Sequence, residues 1–343
     1  MKKRSKILLI SPIPPPDGGM STLARSIIHG LKKNDYSVDV LNTNQFFGFV
    51  GNIYLIKIFQ FFYFLGGMLY NIIKSDLIFI ISSSGNYYFF KTLPALIIAK
   101  LLRKKIIINF VGGALKEKSF IFKSINFFDK IIVPTNYMKN LFLNGGIQVL
   151  KYPNMVMTEK FMKKSKSEYF KIICAKSLDR YSNVRSLILA FKIIKRKIPN
   201  AVFEIVGTGP EKNNLTRLVK QNKIKDIRFL GNIEHSMMPF ILKDADIFFH
   251  GTKYESFGIV LIEAMSAGVP IISSNVGGIS ELIKNKENGI LVNYDDSKSF
   301  AENAIELSKN SKLRKNIIEN GLKTAKKYSI NNLISGLIKI IED

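Results

Sequence analysis

Two carboxylates separated by seven residues, Glu255 and Glu263, are the feature of this sequence best suited to chemistry. They lie in Gly251-Thr-Lys-Tyr-Glu255-Ser-Phe-Gly258-Ile-Val-Leu-Ile-Glu263, after an apolar run that ends at His250. The pattern predicts a helix starting near Gly258. Ser256, Phe257 and Gly258, with Ile259 after them, would then bring backbone N–H groups to a helix N-terminus, where an anion or sugar hydroxyls are well received. On the residues alone, Glu255 reads equally as an N-terminal charge favoured by the helix dipole.

Glycines follow three other apolar runs or precede helices. Val206-Gly-Thr-Gly209-Pro-Glu ends one strand-like run with a tight turn, and Val276-Gly-Gly-Ile-Ser-Glu281 repeats the order of strand, glycines and helix start. A dinucleotide fingerprint would need glycine at 212, where Lys212 stands. Pro14-Pro-Pro-Asp-Gly18-Gly19-Met20 places two glycines directly before a helix, where backbone can approach a phosphate closely. Metal chemistry finds little support. No Cys/His cluster has ligand spacing, no Asp-x-Asp falls in a plausible donor loop, and Asp295-Asp296 reads as a helix cap. The single cysteine, Cys174, sits in an apolar run and reads as a buried, inert thiol. The histidines His29, His235 and His250 read as structural, with His250 singled out because it precedes Glu255 by five residues.

The elements that must hold these residues alternate. Apolar runs at Lys6–Ser11, Ser37–Leu41, Leu77–Ser82, Lys105–Phe110 and Lys130–Val133 are separated by helical stretches. A second series runs through Phe170–Ala175, Val202–Val206, Ile227–Leu230, Asp246–His250, Val269–Ser273 and Gly289–Val292. This predicts an α/β chain of two Rossmann-like, doubly wound domains with parallel sheets, and places ligands beyond the carboxyl ends of strands, with the cleft between the domains as the default site. The expected boundaries are 1–165, 166–328 and a C-terminal helix over 329–343 with the option of crossing back to the first domain. The polar, Lys-rich stretch 154–168 reads as the linker.

With these motifs together, the chain resembles the family-4 retaining glycosyltransferases of the GT-B fold. The Pro-rich Gly-Gly loop, the Ile205-Val-Gly-x-Gly-Pro210 turn, Glu-x7-Glu, the following Gly-Gly and the Pro153-Asn154 pair all match. Ala175-Lys-Ser-Leu-Asp-Arg-Tyr-Ser-Asn183 resembles the family's donor-phosphate loop. The resemblance implies transfer of a sugar from a UDP- or GDP-sugar to an acceptor hydroxyl, with retention and with neither metal nor cofactor. It implies that Glu263 holds the nucleotide ribose, that Glu255 and the N–H groups around Phe257 and Gly258 meet the sugar, and that Gly18 and Gly19 approach the diphosphate. The chain departs from the family at Lys176, where Arg is usual, with Arg180 four residues on, so the phosphate's partner is open between them. It departs again at Val111, where the family commonly has a sugar-binding His.

The chain is strongly basic: 51 Lys and Arg against 26 Asp and Glu give +25 over 343 residues. Residues 1–165 hold 23 basic and 7 acidic side chains, so the excess is concentrated in the first domain. Coding bias toward Lys explains such a balance as well as an anionic partner does. No nucleic-acid-binding motif is present. Ile53–Tyr70 is the most apolar stretch, and three readings stand for it: a core helix, a membrane-surface helix, or a span. The expected partners are thus a nucleotide-sugar, a lipid-linked or cell-surface glycan acceptor and an anionic membrane surface. The expected location is cytoplasmic, peripheral on the inner face of the cell membrane, since Ile7–Ile10 is too short for a signal peptide. A sugar-nucleotide epimerase and a non-enzymatic basic membrane adaptor are the alternatives.

Overall fold

The computed structural model describes residues 5–15, 18–44, 54–112, 120–161 and 168–343, with backbone alone for 54–58. Pro16, Asp17, Gly113 and the linker lysines Lys163, Lys164 and Lys166 lie outside the described residues. The chain falls into two compact units, Met1–Met155 with Ile330–Asp343, and Val156–Ser329.

In the first unit six parallel strands, β1 (Ile7–Ser11), β2 (Val38–Asn42), β3 (Leu77–Ser83), β4 (Lys105–Gly112), β5 (Lys130–Val133) and β6 (Leu150–Lys151), lie in the order 2-1-3-4-5-6. The central runs are apolar on both faces because helices cover both. These helices are α1 (Gly19–Lys33), α2 (Tyr54–Ile73), α3 (Leu93–Leu101), α4 (Phe120–Ile125) and α5 (Asn136–Asn144), with a π turn over Tyr88–Thr92 ahead of α3. The stretch singled out for its apolarity forms α2, whose Phe64, Met68 and Ile72 are fully buried in the core cluster of the first unit. Spaced four apart, they make one core stripe. Phe59, Phe62, Tyr63, Tyr70 and Ile73 project outward and are exposed. The core reading thus describes one face of this helix while the other face is exposed, and no helix among the described residues is long and apolar enough to cross a membrane.

The second unit repeats the plan with β7 (Phe170–Ala175), β8 (Ala201–Val206), β9 (Ile227–Gly231), β10 (Ile247–His250), β11 (Ile271–Ser274) and β12 (Ile290–Val292), all parallel, in the order 12-11-10-7-8-9. Its helices are α6 (Val184–Lys197), α7 (Lys212–Gln221), α8 (Met238–Lys243), α9 (Ile259–Ser266), α10 (Ile279–Leu282), α11 (Ser297–Lys309) and α12 (Ser311–Lys327). The C-terminal helix α13 (Ile330–Glu342) packs on α1, where Gly30 leaves room for it: a Cβ there would lie 2.6 Å from Ile334 Cδ1. Lys105 and Lys130 donate to the terminal carbonyls of Ile341 and Ile340 at 3.2 and 2.9 Å, satisfying acceptors that the helix end leaves open.

Strand order places the chemistry. The chain builds outward from β7 through β8 to β9, then returns to add β10 on the other side of β7. The loops leaving the carboxyl ends of β7 and β10 therefore run side by side at the topological switch point, the position where such sheets bind ligands. Those loops begin at Lys176 and Gly251.

Candidate active site

The β7 loop is held by its neighbour after β8. Lys176 N–H donates to Val206 O at 3.0 Å and Leu178 N–H to Thr208 O at 2.9 Å. This close approach accounts for the glycines of the Gly-Thr-Gly turn. A Cβ on Gly207, whose φ is +127°, would sit 2.0 Å from Lys176 O, and one on Gly209 2.4 Å from Leu178 O. The turn thus seats the segment that carries Lys176. Farther along, Lys253 N–H donates to Tyr181 O at 2.8 Å, tying the β7 loop to the β10 loop.

Between the two loops Lys176 Nζ lies 3.2 Å from Glu255 Oε2, and His250 Nε2, at the end of β10, lies 3.4 Å from the same oxygen. His250 is buried, its ring stacked on Phe248 at 6.4 Å. Burial pushes its pKa down to about 4, and the Lys176 cation adds to that against the pull of Glu255. For Glu255 burial works upward, but Lys176 and His250 outweigh it and hold the carboxyl well below the usual carboxylate range. The result is a carboxylate, an ammonium and a neutral imidazole gathered at the switch point. Arg180 is not part of this group; exposed, it donates to Tyr181 Oη at 2.7 Å.

The rest of the β10 loop is built to start a helix. Gly258 caps α9 with φ +86°, a conformation suited to glycine, and a Cβ there would stand 2.8 Å from Leu261 Cδ1. Phe257 turns inward onto Tyr328, its ring 5.5 Å away, so it contributes packing and backbone. Ser256 and Ile259 are partly buried. Gly278 N–H donates to Glu255 O at 2.9 Å, so the Gly-Gly after β11 clamps the loop from behind. Glu263, buried on α9, places its Oε1 2.6 Å from His235 Nε2. His235 reads as structural in the sequence; the fold places it on the second of the paired carboxylates. Nothing in its spacing from Glu263, 28 residues on, signals this, because the contact depends on how the segment after β9 folds over α9.

The remaining candidates lie on other elements. Gly18 caps α1 and Gly19 opens it, in the first unit; both are exposed with open space where a Cβ would go, so neither is required by packing. Val111 is the penultimate residue of β4 and is partly buried. Asp296 caps α11 by accepting from Ser299 N–H at 2.9 Å, and Ser299's hydrogen bonds hold its carboxyl below its usual value. An Asp-x-Asp pattern does occur at Asp244–Asp246, but it precedes β10, and Asp246 is tied to Arg314 at 2.7 Å and Lys171 N–H at 2.9 Å. No group of three His, Cys, Asp or Glu among the described residues is arranged to hold a metal. Cys174 is buried in β7, its thiol pushed up to about 12 by burial.

Two parallel six-stranded sheets with this connectivity define the GT-B glycosyltransferase fold. The chain superposes on sucrose-phosphate synthase from Thermosynechococcus elongatus with a TM-score of 0.80 at 17% identity, covering 99% of this chain and 98% of that one. It superposes on Anabaena HepE in complex with UDP-glucose with a TM-score of 0.78 at 16% identity, covering 99% and 100%. Residues 157–324, nearly all of the second unit, match the model of glycosyl transferases group 1, and that unit belongs to the family. In sequence the chain is 36% identical over 141 residues to N-acetyl-alpha-D-glucosaminyl L-malate synthase of Bacillus anthracis, spanning 41% of this chain and 36% of that protein. It is 30% identical over 139 residues to phosphatidyl-myo-inositol mannosyltransferase of Mycobacterium leprae, spanning 40% and 37%. The matched part of the chain spans well under half the length of either of these relatives.

Proposed function

We propose that this chain is a glycosyltransferase that takes a sugar from a UDP- or GDP-sugar and attaches it, with retention and without metal, to a lipid-linked or cell-surface polysaccharide acceptor. One observation carries the reading: a family domain brings Lys176, Glu255 and His250 together at its switch point. Without donor, Lys176 neutralises Glu255. When a diphosphate arrives it supplies more negative charge than one carboxylate, and the ammonium turns to it as a point charge. Glu255, held ionised, is then released to accept hydrogen bonds from sugar hydroxyls. The N–H groups at the start of α9 face the same region and favour developing negative charge. Glu263, oriented by His235, accepts from the ribose hydroxyls.

In the transfer the bond from the anomeric carbon to the diphosphate oxygen breaks, and the acceptor oxygen bonds to that carbon on the same face. The departing phosphate oxygen takes the acceptor's proton, so the step needs no side-chain base. Lys176 and the α9 dipole stabilise the charge gained by the leaving diphosphate. The exposed outer face of α2 and the basic first unit support a peripheral position on the inner face of the cell membrane, where lipid-linked acceptors lie. Incubating the protein with UDP- and GDP-sugars, membrane-lipid extract and EDTA, then reading product anomeric configuration by NMR, tests the proposal. A retained configuration is expected; inversion, a requirement for a divalent ion, or an isomerised free donor would each reject it.

A further inference from the structure

Between α3 and α4 the first unit carries an open apolar groove of about 560 Å³, lined by Leu93, Leu96, Ile97, Leu101, Phe120 and Phe127. Much of this lining faces solvent: Ile97 is 51% exposed, Leu101 79%, Phe120 55% and Phe127 66%. Apolar surface exposed on this scale among the described residues marks a binding face. The groove's edge is basic. Lys123 is exposed beside it, and Lys100 is held there by Asp129 at 2.6 Å. Across residues 54–128 the sequence carries ten Lys or Arg and only two carboxylates, Asp76 and Glu117.

The groove also continues into a wider apolar face. Phe120 at its rim stacks on Phe89 at 6.0 Å, and Phe90, next in the chain, meets Phe61 of α2 edge-on at 6.1 Å. From there the exposed Phe62, Tyr63 and Tyr70 extend along α2, with Lys74 4.0 Å over the Tyr70 ring. A single small ligand fills the groove and leaves that face bare, whereas a bilayer covers both. We propose that this face rests on an anionic bilayer and that the α3–α4 groove takes up one alkyl chain of an anionic membrane lipid, whose phosphate lies against Lys123. The inference rests on the membrane position proposed above and adds a discrete chain site to it.

Titration with octyl, decyl and dodecyl phosphate, each below its micelle concentration, tests the chain site, and flotation with phosphatidylcholine vesicles with and without phosphatidylglycerol tests the surface. Saturable one-to-one binding is expected, tightening about fourfold per methylene. Ile97→Ser with Phe127→Ser should weaken dodecyl phosphate at least tenfold, and Lys123→Glu should weaken it several-fold without changing dodecyl maltoside. Both substituted apolar side chains are exposed, so the melting temperature should hold; should the double variant unfold, Leu101→Ser makes the same test. Vesicle binding that survives these variants together with unsaturable alkyl phosphate binding would overturn the chain site and leave the membrane position standing. Wild type that ignores phosphatidylglycerol vesicles and dimerises through Phe127 would overturn both. Binding of free UDP, measured on the same samples, reports on the second unit separately.

Discussion

Lys176 and Glu255 are 79 residues apart in the chain and 3.2 Å apart in the fold. Their meeting follows from the adjacency of β7 and β10, which the return of the chain across the sheet creates. A partly buried ion pair of this kind contributes little net stability, because desolvation offsets attraction. In the proposed reaction its value lies in being exchangeable, with the cation passing to the diphosphate and the carboxylate to the sugar.

Glu255→Gln should therefore lower turnover far more than nucleotide affinity, since its contacts are assigned to the sugar. Steady-state kinetics with calorimetry of the free nucleotide separates the two. A loss confined to nucleotide affinity would move Glu255 to a different role.

Glu263→Ala should weaken UDP or GDP binding by roughly 1.5–3 kcal/mol, the size of charge-assisted hydrogen bonds. His235→Gln, which keeps a donor to Glu263, should lose much less than His235→Ala. Equal losses for the two His235 variants would show that the imidazole packs rather than orients.

Acid should destabilise the second unit through His250. Its folded pKa of about 4 lies below the ordinary 6.5, so between those values the unfolded chain binds more protons. Stability from this group is fully present above pH 6.5 and falls as the pH drops toward 4, by about 3 kcal/mol at most. Glu255, also depressed, acts in the same direction but only below the usual carboxylate range. Denaturant titrations across this window should show a shallower slope for His250→Gln; an unchanged slope would mean that the imidazole is not desolvated.

Gly207→Ala should destabilise the protein by at least about 2 kcal/mol, since the new methyl collides with Lys176 O and the φ of +127° disfavours any side chain. Because the strain falls on the segment bearing Lys176, nucleotide binding should drop as well. A neutral effect on melting temperature would show that the turn is not seated as described.

How much of this is visible before folding varies with the kind of contact. Strands buried on both faces, such as Ile7–Ser11 and Lys130–Val133, stand out as apolar runs because parallel sheets covered by helices leave no polar face. Glu255 and Glu263 stand out through their helix start. By contrast, the sequence leaves Lys176 and Arg180 equal, since loop direction decides which reaches Glu255. It hides His235 altogether, because an isolated histidine carries no spacing signal. The apolar run of α2 shows that a helix forms but not that it has two apolar faces; Phe64 lies inside and Phe62 outside, two positions apart.

In the proposed reaction a nucleotide diphosphate displaces Glu255 from Lys176 at the carboxyl ends of β7 and β10. Isothermal calorimetry of UDP and GDP with wild type and Lys176→Met tests it most directly, with EDTA present. One nucleotide should bind wild type without metal and lose at least about tenfold in affinity when the ammonium is removed, as a charged hydrogen bond would require. Equal affinity for the two proteins, or no binding of either nucleotide to wild type, would contradict it.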